Sequence, residues 1–145
     1  MPFQYGLQKV LEVKEHEKTE AELAYRDSMN HFENVATELY HQLKKKEDLL
    51  MAYDEKLKSG IPIGNIQHIQ DTLQFLQKEI NHLQRETQRT RDVMNAKQQK
   101  LSLKTVDVKK YEKMKERKFE LYKLNEARLD NSFLDELSIQ QFMKR

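Results

Sequence analysis

The distribution of helix-breaking residues constrains this fold more than any other feature of the sequence. The 145-residue chain has only three glycines and two prolines, and all but Pro2 and Gly6 lie within residues 59–64. A glycine after a helical stretch is a typical C-terminal stop, and a proline two residues later cannot continue that helix. The sequence therefore predicts two long helices, at about residues 4–58 and 65–129, joined by this turn.

Both predicted helices carry the spacing of a coiled-coil seam. In the first helix, nearly every position at alternating steps of four and three residues is apolar, and the start of the second helix is equally regular. Because this 3.5-residue period is sustained over several heptads, it predicts a coiled coil. The predicted seam residues are Tyr25, Met29, Phe32, Leu39, Leu43, Leu50, Leu57, Ile66, Ile69, Leu73, Leu76, Ile80 and Leu83.

The short turn between two long helices favours an antiparallel hairpin. This pairing places Leu50 opposite Leu73 and Leu43 opposite Ile80, and it leaves residues 121–145 beyond the start of the first helix. At about 1.5 Å per residue, helices of this length give a rod of roughly 80 Å. The predicted fold class is all-α, an elongated two-helix antiparallel coiled-coil hairpin that forms a single domain with a short C-terminal tail.

The predicted seam is uneven along its length. It is most regular near the turn, whereas Lys97 and Lys104 occupy seam positions toward the open end, which is the end of the hairpin opposite the turn. Charged groups at such positions weaken apolar packing, so we expect a firm turn end and a loose open end.

The last residues, 130–145, contain an apolar group of their own. Ser132 and Asp135 resemble a capping box, and Phe133, Leu137 and further apolar residues follow at helical spacing. The pattern predicts a separate short amphipathic helix, or a segment that is disordered until it binds a partner.

Composition and motifs argue against an enzyme. Charged residues form 34% of the chain and apolar residues 37%, with no Trp and no Cys, and two helices cannot enclose a substrate. Glycine-rich phosphate loops, the Gly-x-Ser-x-Gly motif and the His-Glu-x-x-His motif are missing from the sequence. We expect a binding protein without a cofactor. The sequence also lacks a signal-peptide pattern and a long apolar stretch, which indicates a cytoplasmic protein without membrane insertion.

A Glu-x-x-His pair occurs once on each predicted helix, at residues 38–41 and 79–82. In helical di-iron proteins, further helices supply the glutamates that complete such a site. Those helices are missing here and both histidines lie outside the predicted seam, so we expect solvated polar faces and no metal.

Residues 97–118 contain nine basic side chains against three acidic ones. Lysine and arginine along a helix can neutralise nucleic-acid phosphates, which makes a nucleic-acid-binding arm one alternative. Because Asp107, Glu112 and Glu116 interrupt the run and the whole chain has a net charge of only +2, a solvated face or an acidic protein partner is favoured. A self-assembling structural coiled coil is a further alternative.

Three apolar residues near the turn do not fit the predicted seam register, namely Leu49, Met51 and Phe75. Together with Ile61 and Ile63 in the turn, they predict an apolar surface patch. Contiguous apolar patches on a monomer mark partner sites, although a broadened seam or self-association explains the same residues.

Three segments resemble the FliJ family, whose members are soluble components of the bacterial flagellar type III export apparatus. They are residues 3–15 (FQYGLQKVLEVKE), the basic stretch 108–118 (VKKYEKMKERK) and residues 134–137 (LDEL). The resemblance spans essentially the whole chain, and the position of the turn also agrees.

The resemblance implies a stalk similar to the gamma-subunit coiled coil of ATP synthases. FliJ-like proteins bind the export ATPase FliI in the pore of its ring and contact the export gate protein FlhA, and some members also bind export chaperones. The implied location is the cytoplasmic face of the cell membrane, through the export apparatus. No nucleic acid is implied as a partner.

The resemblance also implies two binding surfaces on this chain. Gate-binding residues would lie on the half near the turn, where Phe75 joins them as an off-register residue; this set is Gln42, Leu49, Phe75, Leu76 and Leu83. The sequence departs there from the aromatic-rich pattern of some relatives, with Lys45 and Thr72 instead. ATPase-binding residues would lie at the open end, on the basic arm; this set is Lys109, Lys113, Arg117, Lys118 and Leu121.

Overall fold

A computed structural model describes residues 2–144 of the chain and contains two long α-helices packed against each other. Helix α1 spans Gln8–Ser59 and helix α2 spans Ile63–Met143. The described residues include no β-strand, so the predicted all-α class is confirmed.

The turn forms where the breakers predict it. Gly60 has a φ of +82°, in the left-handed region that residues with a Cβ rarely adopt, and it therefore ends α1. The carbonyl oxygen of Pro62 then accepts hydrogen bonds from the amides of Asn65 at 3.0 Å and Ile66 at 3.3 Å, which start α2.

Contacts between the helices show that they run antiparallel. The guanidinium carbon of Arg91 lies 5.4 Å from the ring centre of Phe32, and Lys46 Nζ donates a 2.6 Å hydrogen bond to Gln77 Oε1. Partners on α2 thus have lower numbers as α1 approaches the turn. This order confirms the antiparallel hairpin.

The chain separates into two compact units. The turn unit comprises residues 21–101, and the open-end unit comprises the described residues 2–20 and 102–144. Each unit contains a piece of both helices.

In the open-end unit, an extended segment before α1 completes an apolar core. Tyr5, Leu11 and Val108 are buried, with relative exposures of 7%, 3% and 3%, and Phe3, Leu7 and Tyr111 pack against them. The Tyr5 hydroxyl donates a 3.2 Å hydrogen bond to the Tyr111 carbonyl oxygen. Residues 3–7 thus supply apolar side chains that the heptad pattern of α2 lacks at this end, a contribution that the expectation of a loose open end did not include.

The seam of the turn unit differs from the predicted register in α1. Leu43, Leu50 and Leu57 are exposed, while Gln42 and Leu49 are half-buried in their place. Lys46 and Tyr53 also fall on the alternating steps of four and three residues that define the predicted stripe. The predicted and observed stripes share Leu39, Lys46 and Tyr53 and differ by one residue at every second step. Spacing alone could not separate them. The remaining predicted seam residues are buried or half-buried: Tyr25, Met29, Phe32, Leu39, Ile66, Ile69, Leu73, Leu76, Ile80 and Leu83.

Helix α2 continues past its predicted end at residue 129 and reaches Met143 without a break. Ser132 and Asp135, which resemble a capping box in sequence, lie inside this helix. No Gly or Pro follows Gly64, so nothing in the backbone forces a stop.

Candidate partner-binding surfaces

The structure does not bring the five predicted gate-binding residues onto one surface. Leu76 and Leu83 are buried in the seam, and Gln42 and Leu49 are half-buried beside it. Only Phe75 is well exposed, at 63%. Leu76 and Leu83 are therefore inaccessible to a partner, whereas Gln42 and Leu49 keep part of their side chains at the surface.

Three exposed leucines of α1, which the sequence predicted to lie in the seam, form a different surface. Leu43, Leu50 and Leu57 recur every seven residues and share one helix face, with exposures of 42%, 42% and 48%. We call this surface the leucine stripe. The seven-residue spacing of these leucines is the sequence signal for the leucine stripe. Because the same spacing is expected of a buried seam, only the burial of the side chains distinguishes the two interpretations.

The apolar patch predicted near the turn forms only in part. Met51, Ile63 and Phe75 are exposed as expected, whereas Leu49 turns inward and Ile61 is half-buried. Met51 is offset by about 100° around the helix from Leu50. It therefore lies at the side of the leucine stripe and does not extend it.

The basic arm of α2 carries a second surface, on the side of the helix away from the core of the open-end unit. Positions three or four residues apart on this side hold three cations with two apolar residues before them and two after them, and all are exposed. We call this surface the basic outer face; it consists of Leu103, Val106, Lys110, Lys113, Arg117, Leu121 and Leu124.

Acidic residues that interrupt the basic run in sequence are separated from it in space. Glu112 and Glu116 line a cavity with Phe3, Leu11 and Phe119, on the side of α2 that faces the N-terminal segment. Lys115 lines the same cavity, and the exposed Glu120 lies on the outer side seven residues after Lys113, so the two signs of charge are only partly separated around the helix.

The predicted ATPase-binding residues divide between these two sides. Lys113, Arg117 and Leu121 follow one another at four-residue steps on the basic outer face, and Lys109 is exposed at its flank. Lys118 instead places its ammonium nitrogen 5.7 Å from the ring centre of Tyr5. This cation–π contact attaches Lys118 to the core.

A half-buried ion pair offsets the charge of Lys104, a lysine at the seam. Lys104 Nζ lies 3.1 Å from Glu17 Oε2, and Lys14 approaches the same carboxylate oxygen at 3.6 Å. The hydrogen bond from Lys104 holds the pKa of the Glu17 carboxyl below its usual range, and the positive charges of Lys104 and Lys14 act in the same direction. Lys104 therefore does not disrupt the open-end unit.

The two Glu-x-x-His pairs show no sign of a metal site. His41 and His82 are both exposed, and within residues 2–144 no three His, Cys, Asp or Glu side chains are grouped closely enough to hold an ion. Neither helix, over its described length, has a stretch apolar enough to cross a bilayer.

Comparison with known proteins gives one consistent result. A family model described as "Flagellar FliJ protein" matches residues 3–145. The flagellar FliJ protein of Bacillus subtilis (strain 168) is 39% identical over 143 residues, which cover 99% of this chain and 97% of that protein. No solved structure matches the chain.

Proposed function

This chain belongs to the flagellar FliJ protein family, and we propose that, as a component of flagellar protein export, it acts as a stalk between two partners. The open-end unit binds the ring of the export ATPase FliI, and the turn unit binds the export gate protein FlhA. Its role is binding rather than catalysis, and it works at the cytoplasmic face of the membrane through the apparatus. Export chaperones are further candidate partners.

The observation that carries this proposal is the presence of two chemically different exposed surfaces on separate units. The basic outer face presents cations beside apolar side chains and suits a partner surface that combines carboxylates with apolar residues. The leucine stripe is apolar, and Phe75 adds an exposed aromatic ring on α2. Two surfaces of this kind, each on its own unit, favour attachment at two places.

The ATPase contact is tested with the purified chain and its cognate ATPase. We expect the chain to raise both ATP hydrolysis and the yield of hexamer. K113E together with R117E reverses two charges on the basic outer face and should abolish the effect, whereas K44E together with K45E, on exposed lysines of the turn unit, should preserve it. Equal stimulation by both double variants would refute this assignment of the face.

The gate contact is tested by affinity for the soluble domain of the cognate gate protein. Replacing Leu43, Leu50 and Phe75 by Ala should weaken binding at least about tenfold without lowering helicity, since truncating apolar anchors removes contact area. V93A and L103A, at exposed sites outside these residues, serve as controls. Unchanged affinity in the triple variant would show that the gate does not bind there.

The three exposed cations of the basic outer face, Lys110, Lys113 and Arg117, favour one second candidate, a nucleic-acid-binding arm. That function predicts retention on duplex DNA or RNA with a steep loss of affinity as salt rises. The proposed stalk predicts retention on the ATPase instead, so the partner that retains the chain distinguishes the two functions, whereas K113E together with R117E should weaken either kind of binding.

A further inference from the structure

Helix α1 carries two alternative flanks beside one central series of seam residues. The central series recurs every seven residues and is half-buried throughout; it consists of Tyr25, Phe32, Leu39, Lys46 and Tyr53. Three residues after each of these lies the mixed flank, which consists of Ser28, Val35, Gln42, Leu49 and Lys56. Four residues after each lies the apolar flank, which consists of Met29, Ala36, Leu43, Leu50 and Leu57. A coiled-coil seam can combine the central series with either flank.

The structure uses the two flanks differently along α1. Over residues 25–39 the members of both flanks are half-buried. Nearer the turn, Gln42 and Leu49 of the mixed flank are half-buried, whereas the leucine stripe, which is the rest of the apolar flank, is exposed. In this part of the seam α1 therefore turns its less apolar side toward α2.

Opposing interactions act on this choice of flank. Packing the leucine stripe on α2 would bury three leucines and return Gln42 to solvent, and both changes are favourable because apolar burial stabilises and a buried amide loses hydration. The observed packing instead buries part of Leu49 and keeps the 2.6 Å hydrogen bond from Lys46 Nζ to Gln77 Oε1. Each packing thus has interactions that the other lacks.

We propose that the turn unit has a second packing, in which α1 turns about its own axis and the leucine stripe packs on α2. Neighbouring residues lie about 100° apart around a helix and the central series belongs to both packings, so a turn of about 50° exchanges the flanks. Residues 60–62 lie outside both helices and can absorb the change at the turn. The stripe is then open to a partner in one packing and covered by α2 in the other.

This inference concerns the packing of two helices within the turn unit. It holds whichever partner binds the leucine stripe, and it goes beyond the proposed gate contact. A partner that binds the stripe would shift the population toward the observed packing, because it binds only that state.

Engineered disulfides test the second packing, since the chain contains no cysteine. The contacts between Phe32 and Arg91 and between Lys46 and Gln77 set the pairing of the helices, which places residue 73 of α2 level with residues 49 and 50 of α1. L49C with L73C therefore reports the observed packing, and L50C with L73C reports the second one. M51C with L73C is the control at the same level, at an exposed residue about 100° farther around α1.

Closure of each pair is followed in oxidised glutathione. A disulfide requires Cα atoms within about 7 Å of each other, so we expect the L50C and L73C pair to close at least about tenfold faster than the M51C control. Equal rates for these two pairs would overturn the proposal.

Two further substitutions distinguish a second packing from a seam that is only loose. L43Q removes a leucine that only the second packing buries, and Q42L adds apolar contact to the observed one. Either should slow closure of the L50C and L73C pair about fivefold or more and change closure of the L49C and L73C pair less than about twofold. K44Q, at an exposed neighbouring position, should change neither rate.

Circular dichroism verifies that the variants keep their helices, as expected because glutamine and leucine are both good helix formers. An unchanged rate for the L50C and L73C pair in the L43Q background would show that the leucine stripe does not enter the seam. Equal slowing of both pairs would show that Leu43 acts on the hairpin as a whole. Either result would overturn the second packing.

Discussion

The two units of this hairpin reach stability by different means. The turn unit relies on a regular apolar series in α2, with Ile80 almost completely buried, but its α1 side contributes Gln42 and Lys46. The open-end unit has a less regular heptad pattern and instead gathers Tyr5, Leu11 and Val108 into a core. Heptad regularity in one helix therefore does not measure how well a unit packs, since residues outside both helices contribute.

The sharpest test of this difference is L11A in the open-end unit. Removing a buried leucine from a small core should lower the free energy of unfolding by about 2–4 kcal/mol. V13A changes an exposed residue two positions away on the same helix and should alter it by less than about 0.5 kcal/mol. Urea unfolding followed by circular dichroism measures both. A loss below about 1 kcal/mol for L11A would mean that the open-end core contributes little.

The turn offers two glycines with opposite expectations. G60A places a Cβ at a φ of +82° and should destabilise the hairpin by about 1 kcal/mol. G64A lies inside α2 with open space around the added Cβ and should stabilise it by about 0.5–1 kcal/mol. Thermal melting of the two variants should give shifts of opposite sign. A shared sign would contradict the left-handed cap at Gly60.

If polar side chains limit apolar packing in the seam of the turn unit, replacing one of them by an apolar residue should raise the stability of the chain. K46L replaces a half-buried lysine that faces α2 and should raise the free energy of unfolding by about 0.5–1 kcal/mol through added apolar burial. The control K44L, at an exposed position, should produce no gain in stability. A destabilised K46L would show that the hydrogen bond to Gln77 outweighs apolar contact at this position.

The smallest expected effect is a dependence on acidic pH in the open-end unit. Because the pKa of Glu17 is lowered in the folded state, its contribution to stability is complete above the ordinary glutamate pKa and is lost as the pH falls through the lowered value. E17Q should therefore be less stable than the wild type at pH 7, and the difference should shrink at about pH 3–4. Acid melts of E17Q and the wild type, with E33Q at an exposed glutamate of the turn unit as the comparison variant, measure this difference.

Sequence determined the architecture here because the relevant signals are local. Gly60 and Pro62 define the turn, and the apolar heptad positions of α2 predict a helix with one face packed against another helix. The surfaces were harder to predict. Leu43 and Leu49 fit two stripes that differ by one residue, and Glu112 and Glu116 interrupt the basic run in sequence but lie on a different side of α2 from Lys113 and Arg117. The role of residues 3–7 depends on Tyr5 meeting Tyr111, a contact that no spacing rule reveals.

That contact also has a consequence for synthesis of the chain. Tyr5 and Tyr111 are 106 residues apart, so at a translation rate of about 5–20 residues per second the N-terminal segment waits roughly 5–20 s for its partner. The turn closes a much shorter loop and can pair its helices earlier. We therefore expect the two helices to pair first near the turn and last at the open end. Until that last stage of folding, the aromatic side chains near the N-terminus would remain accessible to other proteins.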